Sequence, residues 1–139
     1  MSSKFVETKT LHEMYGTSSD KGIKYDAEKP DFSLMPPISL TAFAQVLTYG
    51  KKKYAAHNWR NGLDQARLIS SAMRHLTAYL GGQTNDPESG LPHMAHVMCN
   101  AAFALELHDS VDCIDTRHLY SAEGLESLTR RLEDSSAKH

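Results

Sequence analysis

From Pro92 to His108 the chain reads PHMAHVMCNAAFALELH, and after its first residue this stretch holds neither proline nor glycine. Placed on a helix, Met94, Val97, Met98, Ala101, Ala102, Phe103 and Leu105 fall on almost every side, so such a helix has to be enclosed by others or by a partner surface. That requirement sets the architecture as one central helix with neighbours around it. A first helix, capped by Ser39 or Thr41 and running to about Tyr54, repeats Leu40, Phe43, Val46 and Leu47 at helical spacing, with Gly50 a weak point near its end. A second, from about Leu63 to Leu80, offers Leu63, Ala66, Ile69, Met73, Leu76 and Leu80 as an inner stripe and stops at Gly81 and Gly82. The last, roughly Ser121 to Glu133, is amphipathic and charged. No segment alternates apolar and polar residues over a strand length between hairpin turns. The predicted fold is therefore all-α, a compact bundle of about four helices, expected to be oligomeric because its helices are apolar on more than one side.

At 139 residues the chain suits a single domain. Residues 1–22 are polar and rich in Ser, Thr and Lys, which predicts a flexible N-terminal segment ahead of one domain over 23–139; the tail SSAKH is expected to fray. Between Lys24 and Pro37 the run KYDAEKPDFSLMPP carries three prolines and mixed charge and reads as an extended loop. The formal net charge of -2 and 23% charged content argue against a general nucleic-acid binder, whose affinity rests on many basic phosphate contacts, and leave small anionic ligands open. No apolar run approaches a membrane span and MSSKFVETKT lacks a signal-peptide core, so the expectation is a soluble, cytoplasmic protein. Cys99 and Cys113 have no CxxC spacing and support neither a disulfide framework nor a zinc knuckle.

Chemistry concentrates in DPESGLPHMAHVMCN, Asp86 to Asn100. A Pro-, Gly- and Ser-rich loop delivers Asp86 and Glu88, and the helix that follows sets His93, His96 and Asn100 on one face at i, i+3 and i+7. Arg74 and His75 stand on the preceding helix. Burying so many polar groups costs stability unless each is satisfied, which marks a metal or catalytic face, although hydrogen-bonded core histidines give the same pattern. Carboxylates suit Mg2+ or Mn2+; histidine alongside favours Mn2+ or another transition ion, or leaves the imidazole as a base or phosphate donor. Asp86 also reads as a turn starter, and Glu88 as a first-turn acid on the helix dipole. A basic set, Lys24, Lys29, Lys51, Lys52, Lys53, Arg60 and Arg74, flanks the first helix as a solvated face or an anion grip. In HNWRNG the trio Asn58, Trp59 and Arg60 suits stacking a planar base and gripping phosphate, while Trp59 serves equally as a hydrophobic plug.

Four segments in order, KYDAEKPDFSLMPP, LTYGKKKYAAHNWRNG, the Arg74-His75-Leu76 step and DPESGLPHMAHVMCNAAFALE, resemble the dATP/dGTP diphosphohydrolase N-terminal domain family found mainly in phages. The resemblance covers about residues 22 to 108. That family is similar to the all-α MazG-like nucleoside triphosphate pyrophosphohydrolases, and the resemblance implies metal-dependent cleavage of dATP or dGTP to the monophosphate and pyrophosphate. Carried over by position, it implies nucleotide contacts from Lys24, Asp26, Lys29, Asn58, Trp59, Arg60, Arg74 and Asn100, with Lys53 from the basic set. It implies catalytic roles for His75, Glu88, His93 and His96. Metal ligation falls to Asp86 and Glu88, with Glu106 of Glu106-x-x-Asp109 as the match to the MazG-like Glu-x-x-Asp. The chain departs from the family at Gly82-Gln83, where members usually carry Gly-Glu. An amide there weakens metal affinity and water activation, and motivates an alternative: a catalytically weak protein that sequesters nucleotides or signalling nucleotides. The expected partners are a purine nucleoside triphosphate and further copies of the chain, with no membrane and no nucleic-acid polymer; a phage-encoded protein would act in the host cytoplasm.

Overall fold

The computed structural model describes residues 22–134. The expected flexibility of residues 1–21 and the fraying of 135–139 concern segments outside the described residues. The described chain divides between Met35 and Pro36 into two units. In the first, Lys24 pairs with Asp26 at 3.8 Å, the Lys29 N–H donates to the Asp26 carbonyl at 3.0 Å, and Asp31 caps a 3-10 turn over Phe32–Leu34. This is an irregular, exposed segment, as its prolines predict.

The second unit holds four α-helices among the described residues: α1 (Pro37–Lys53), α2 (Gln65–Leu80), α3 (His93–His108) and α4 (Ala122–Glu133). No strand occurs among the described residues, only isolated bridges joining Asp64 to Ile114 and Asn85 to Pro92. The fold is all-α. None of these helices is long and apolar enough to cross a membrane.

α3 packs against both α1 and α2, most extensively against α2, and is the central helix its all-round apolar sequence requires. The core joins Val46 of α1 to Ala95 and Cys99 of α3, with Ala42, Phe43, Leu47, Leu91 and Phe103 against it. Burial pushes the Cys99 thiol up to about 11, which leaves it a small inert hydrophobe.

Three sequence expectations need correction. α1 begins at Pro37, so Ser39 and Thr41 do not cap it; proline at the first helical position lacks only an N–H that would have no partner, and the Thr41 hydroxyl donates to the Pro37 carbonyl at 2.8 Å. α2 begins at Gln65, two residues later than expected, because the Asp64 carboxylate accepts from the Thr116 N–H (3.0 Å) and hydroxyl (2.6 Å). The third correction is the inner face of α2. Its buried residues are Gln65, Leu68 and Ala72, whereas Ile69, Met73, Leu76 and Leu80 of the expected stripe are exposed. The Gln65 amide donates to the Ala104 carbonyl of α3 at 3.0 Å, so a satisfied polar group takes an inward place that the apolar pattern assigned to leucine.

The chain enters α2 through Gly62 at φ +92°, where an added Cβ would meet the Asp112 carbonyl oxygen at 3.0 Å; only glycine fits this turn. α4 starts as expected, with the Ser121 hydroxyl accepting from the Gly124 N–H at 3.2 Å.

Candidate metal and nucleotide site

Hydrogen bonds between α2 and α3 run in opposite chain order: Gln65 reaches Ala104, Ser71 meets Asn100, and His75 meets His93. The pair is thus an antiparallel hairpin whose helices are joined by residues 81–92. That loop is folded on itself. The Asp86 N–H donates to the Leu91 carbonyl at 2.8 Å, the Gly90 N–H to the Asp86 carbonyl at 2.7 Å, and the His93 N–H to the Thr84 carbonyl at 3.0 Å. The loop sets Asp86 against the first turn of α3, where His93 is buried and His96 half-buried.

Asp86 and three histidines converge there, held by Gln83, Ser89 and Asn100. Nδ1 of His75 lies 2.8 Å from Nδ1 of His93, and Nε2 of His93 lies 2.8 Å from Oε1 of Gln83. An amide oxygen only accepts, so His93 donates through Nε2 and its Nδ1 accepts from His75; these tautomers are assigned from the hydrogen-bond network. The Ser89 hydroxyl donates to Asp86 Oδ2 at 2.9 Å and accepts from His96 Nε2 at 2.7 Å. His96 Nε2 is 3.6 Å from the same carboxylate oxygen, and its ring stacks on that of His75 with centroids 4.5 Å apart. Asn100 closes the stripe, its amide donating to Ser71 Oγ at 3.2 Å and to the His96 carbonyl at 3.0 Å.

Charge is distributed to match. Burial lowers the pKa of His75, with the neighbouring His96 adding to the effect. Burial also lowers that of His96, against the pull of Asp86. For Asp86, burial opposes ionisation, but the hydrogen bonds from Ser89 outweigh it and hold the carboxyl below its usual range. The result near neutral pH is one carboxylate beside neutral imidazoles, the protonation states that metal ligation needs. One ligand atom each from His75, Asp86 and His93 lies within 4.8 Å of the others. Donors bound to an ion at about 2.1 Å stand roughly 3 Å apart, so a small closing movement completes a shell. Two nitrogens and one oxygen fit a transition ion or Mn2+ better than Mg2+, which prefers oxygen throughout.

On the rim, Glu88 is exposed and forms an ion pair with Lys53, while the Tyr49 hydroxyl donates to Glu88 Oε1 at 3.3 Å. The Lys53 bond lowers the Glu88 pKa and the same bond raises that of Lys53. Both charges are felt at His96.

The structure thus brings together His75, Asp86, His93, His96 and Asn100 of the sequence candidates, with Lys53 and Glu88 beside them. The remaining candidates of the second unit lie elsewhere. Glu106 is exposed, 13 residues beyond His93, which is roughly 20 Å along the helix. Arg74 bonds Ser70 Oγ at 3.1 Å on an outer face of α2. Trp59 stacks on Phe103 at 5.8 Å, the plug arrangement, and the Arg60 guanidinium lies over the indole at 5.4 Å. Among the described residues, no hydrogen bond or ion pair ties Asn58, Trp59 or Arg60 to the histidine cluster. Lys24, Asp26 and Lys29 belong to the first unit.

Sequence reasoning passed over Tyr49, Ser71 and Ser89. Ser89 had a signal, since Asp followed three residues later by Ser in a turn is a local capping pattern. Tyr49 had none, its partner lying 39 residues away. Gln83, read only as a missing acid, holds the ring of His93.

Comparison with known proteins adds to this picture. The family model described as dATP/dGTP diphosphohydrolase, N-terminal, matches residues 19–117. A protein named dATP/dGTP diphosphohydrolase from Salmonella phage PMBT28 is 34% identical over 101 residues, covering 73% of this chain and 34% of that relative. The chain therefore spans about a third of the relative's length. No solved structure matches the chain significantly.

Proposed function

The chain belongs to the dATP/dGTP diphosphohydrolase N-terminal family, and on that premise we propose that it hydrolyses dATP or dGTP to the monophosphate and pyrophosphate with a bound divalent ion. The observation that carries this reading is the meeting of His75, Asp86 and His93, with one ligand atom of each within 4.8 Å of the others. These three residues would hold the ion, with Mn2+ favoured over Mg2+ by their two nitrogens. When bound, it would supply positive charge against the phosphates.

The chain's own groups take the remaining roles. His96 is the proton acceptor: burial keeps its ring neutral, and its Nε2–H faces Ser89 and Asp86, so the carboxylate stabilises the imidazolium formed on accepting a proton. Lys53, released from Glu88, reaches an outer phosphate. Gln83 fixes the orientation of the His93 ring. Incubating the full chain with dATP or dGTP and Mn2+ or Mg2+, with products separated by ion-exchange chromatography, tests the reading. Equimolar monophosphate and pyrophosphate are expected. Orthophosphate as the product, or no consumption of either nucleotide with either ion, overturns it.

One observation favours a second reading, nucleotide retention without turnover. Gln83 presents a neutral amide to His93 where an acid would add charge to the metal shell. Calorimetry separates the two, because a sequestering protein binds its nucleotide without metal and returns it intact.

A further inference from the structure

A cleft adjoins the histidine cluster along α1. It is an open groove of about 410 Å³ between one face of that helix, carrying Thr41, Gln45, Thr48 and Lys52, and the loop residues Ser89 and Leu91. Tyr49 lines it too and joins it to the site, because its hydroxyl bonds Glu88 and its ring meets that of His96 edge-on at 6.4 Å. Ser89 makes the same link from the loop, through its bonds to Asp86 and His96. Charge is graded along the groove: Lys52 stands beside Lys53 at one end, and Gln45, about 10 Å away along the helix axis, brings none. An anionic head at the lysines with a neutral polar body toward Gln45 matches that gradient.

Gln45 stands apart from the other polar groups of the lining. Thr41 and Thr48 donate their hydroxyl protons to the Pro37 and Ala44 carbonyls of α1, both at 2.8 Å, and the Tyr49 hydroxyl donates to Glu88. The exposed Gln45 amide makes no hydrogen bond among the described residues, and it offers a donor and an acceptor side by side. Adenine presents an N6 donor beside an N1 acceptor, and guanine an O6 acceptor beside an N1–H donor. The two purine edges are thus opposite patterns at the same two positions, and turning one amide by 180° exchanges its own donor and acceptor to match either. Resting on the hydrolysis of both purine nucleotides proposed above, we propose that the base lies in this groove and that Gln45 reads its edge, accepting dATP and dGTP alike by rotation of its amide.

Calorimetry of the full chain with Mn2+ and the α,β-methylene analogues of dATP and dGTP tests the assignment, since carbon replaces the bridging oxygen at which the proposed cleavage occurs. Wild type should bind the two analogues within about threefold of each other. Gln45→Glu should weaken the adenine analogue at least about tenfold relative to the guanine one, because a carboxylate accepts from guanine N1–H and N2–H but has no donor for adenine N1. Taking the ratio cancels the repulsion that an added carboxylate exerts on both. Gln45→Ala should weaken both and leave their ratio unchanged; Gln45 is exposed, so both variants should keep their helical circular dichroism. No binding of either analogue by wild type, a ratio that Gln45→Glu does not move, or binding by Gln45→Ala as tight as wild type overturns the assignment, whether or not the chain hydrolyses the parent nucleotides. The expected ratios without turnover of dATP or dGTP would uphold it and reject the hydrolysis alone.

Discussion

His75 and His96 stack ring on ring with burial holding both imidazoles neutral, and His96 opposes a proton added to His75. Their folded-state pKa values lie below the ordinary 6.5, so as pH falls the unfolded chain takes up protons before the folded one does. Stability contributed by the stack is complete above that value and is lost as pH drops through it. In metal-free buffer the melting temperature should therefore fall between pH 7.5 and about 5.5, and fall less in a His75→Gln, His96→Gln double variant. Equal pH dependence in the two proteins would contradict the assignment. Lys53 predicts differently. Its pair with Glu88 is solvent-exposed, so Lys53→Ala should change unfolding free energy by less than about 1 kcal/mol. The same change should raise the Michaelis constant for the nucleotide about tenfold, the loss of one phosphate contact worth about 1.4 kcal/mol. An unchanged Michaelis constant would remove Lys53 from the site.

At the level of helices, burial alternates sharply within one turn of α3. Leu107 is 2% exposed and Leu105 79%. Leu107→Ala should cost about 2–5 kcal/mol by urea unfolding, and Leu105→Ala within about 0.5 kcal/mol; similar costs at both would mean that α3 is rotated. How much of this arrangement the sequence discloses differs from helix to helix. α3 was legible as the central helix because a helix apolar all round has only one stable place. The facing side of α2 was not, because Gln65 and His75 look out of place inside until the Ala104 carbonyl and His93 supply their partners, and those partners lie on another helix. For the same reason Asp86, His93 and His96 could be read as a local cluster, within one short stretch of chain. The 35-residue reach from Lys53 to Glu88 and the separation of Glu106 from the cluster are visible only once α1, α2 and α3 are assembled.

For the molecule as a whole, the helical hairpin of α2 and α3 is a support that holds one carboxylate and three imidazoles in register. The loop that joins the two helices adds the hydrogen bonds that fix their tautomers. Gln65 shares the inward face of α2 with Leu68 and Ala72, while Ile69, Met73, Leu76 and Leu80 lie on its outer side. The most direct test is a Mn2+ titration of the full chain followed by electron paramagnetic resonance. Wild type and Glu106→Gln should each bind one ion per chain, and Asp86→Asn and His93→Ala should lose that site while keeping their helical circular dichroism. Undiminished binding in Asp86→Asn, or loss of the site in Glu106→Gln, would show that His75, Asp86 and His93 are not the centre that holds the metal.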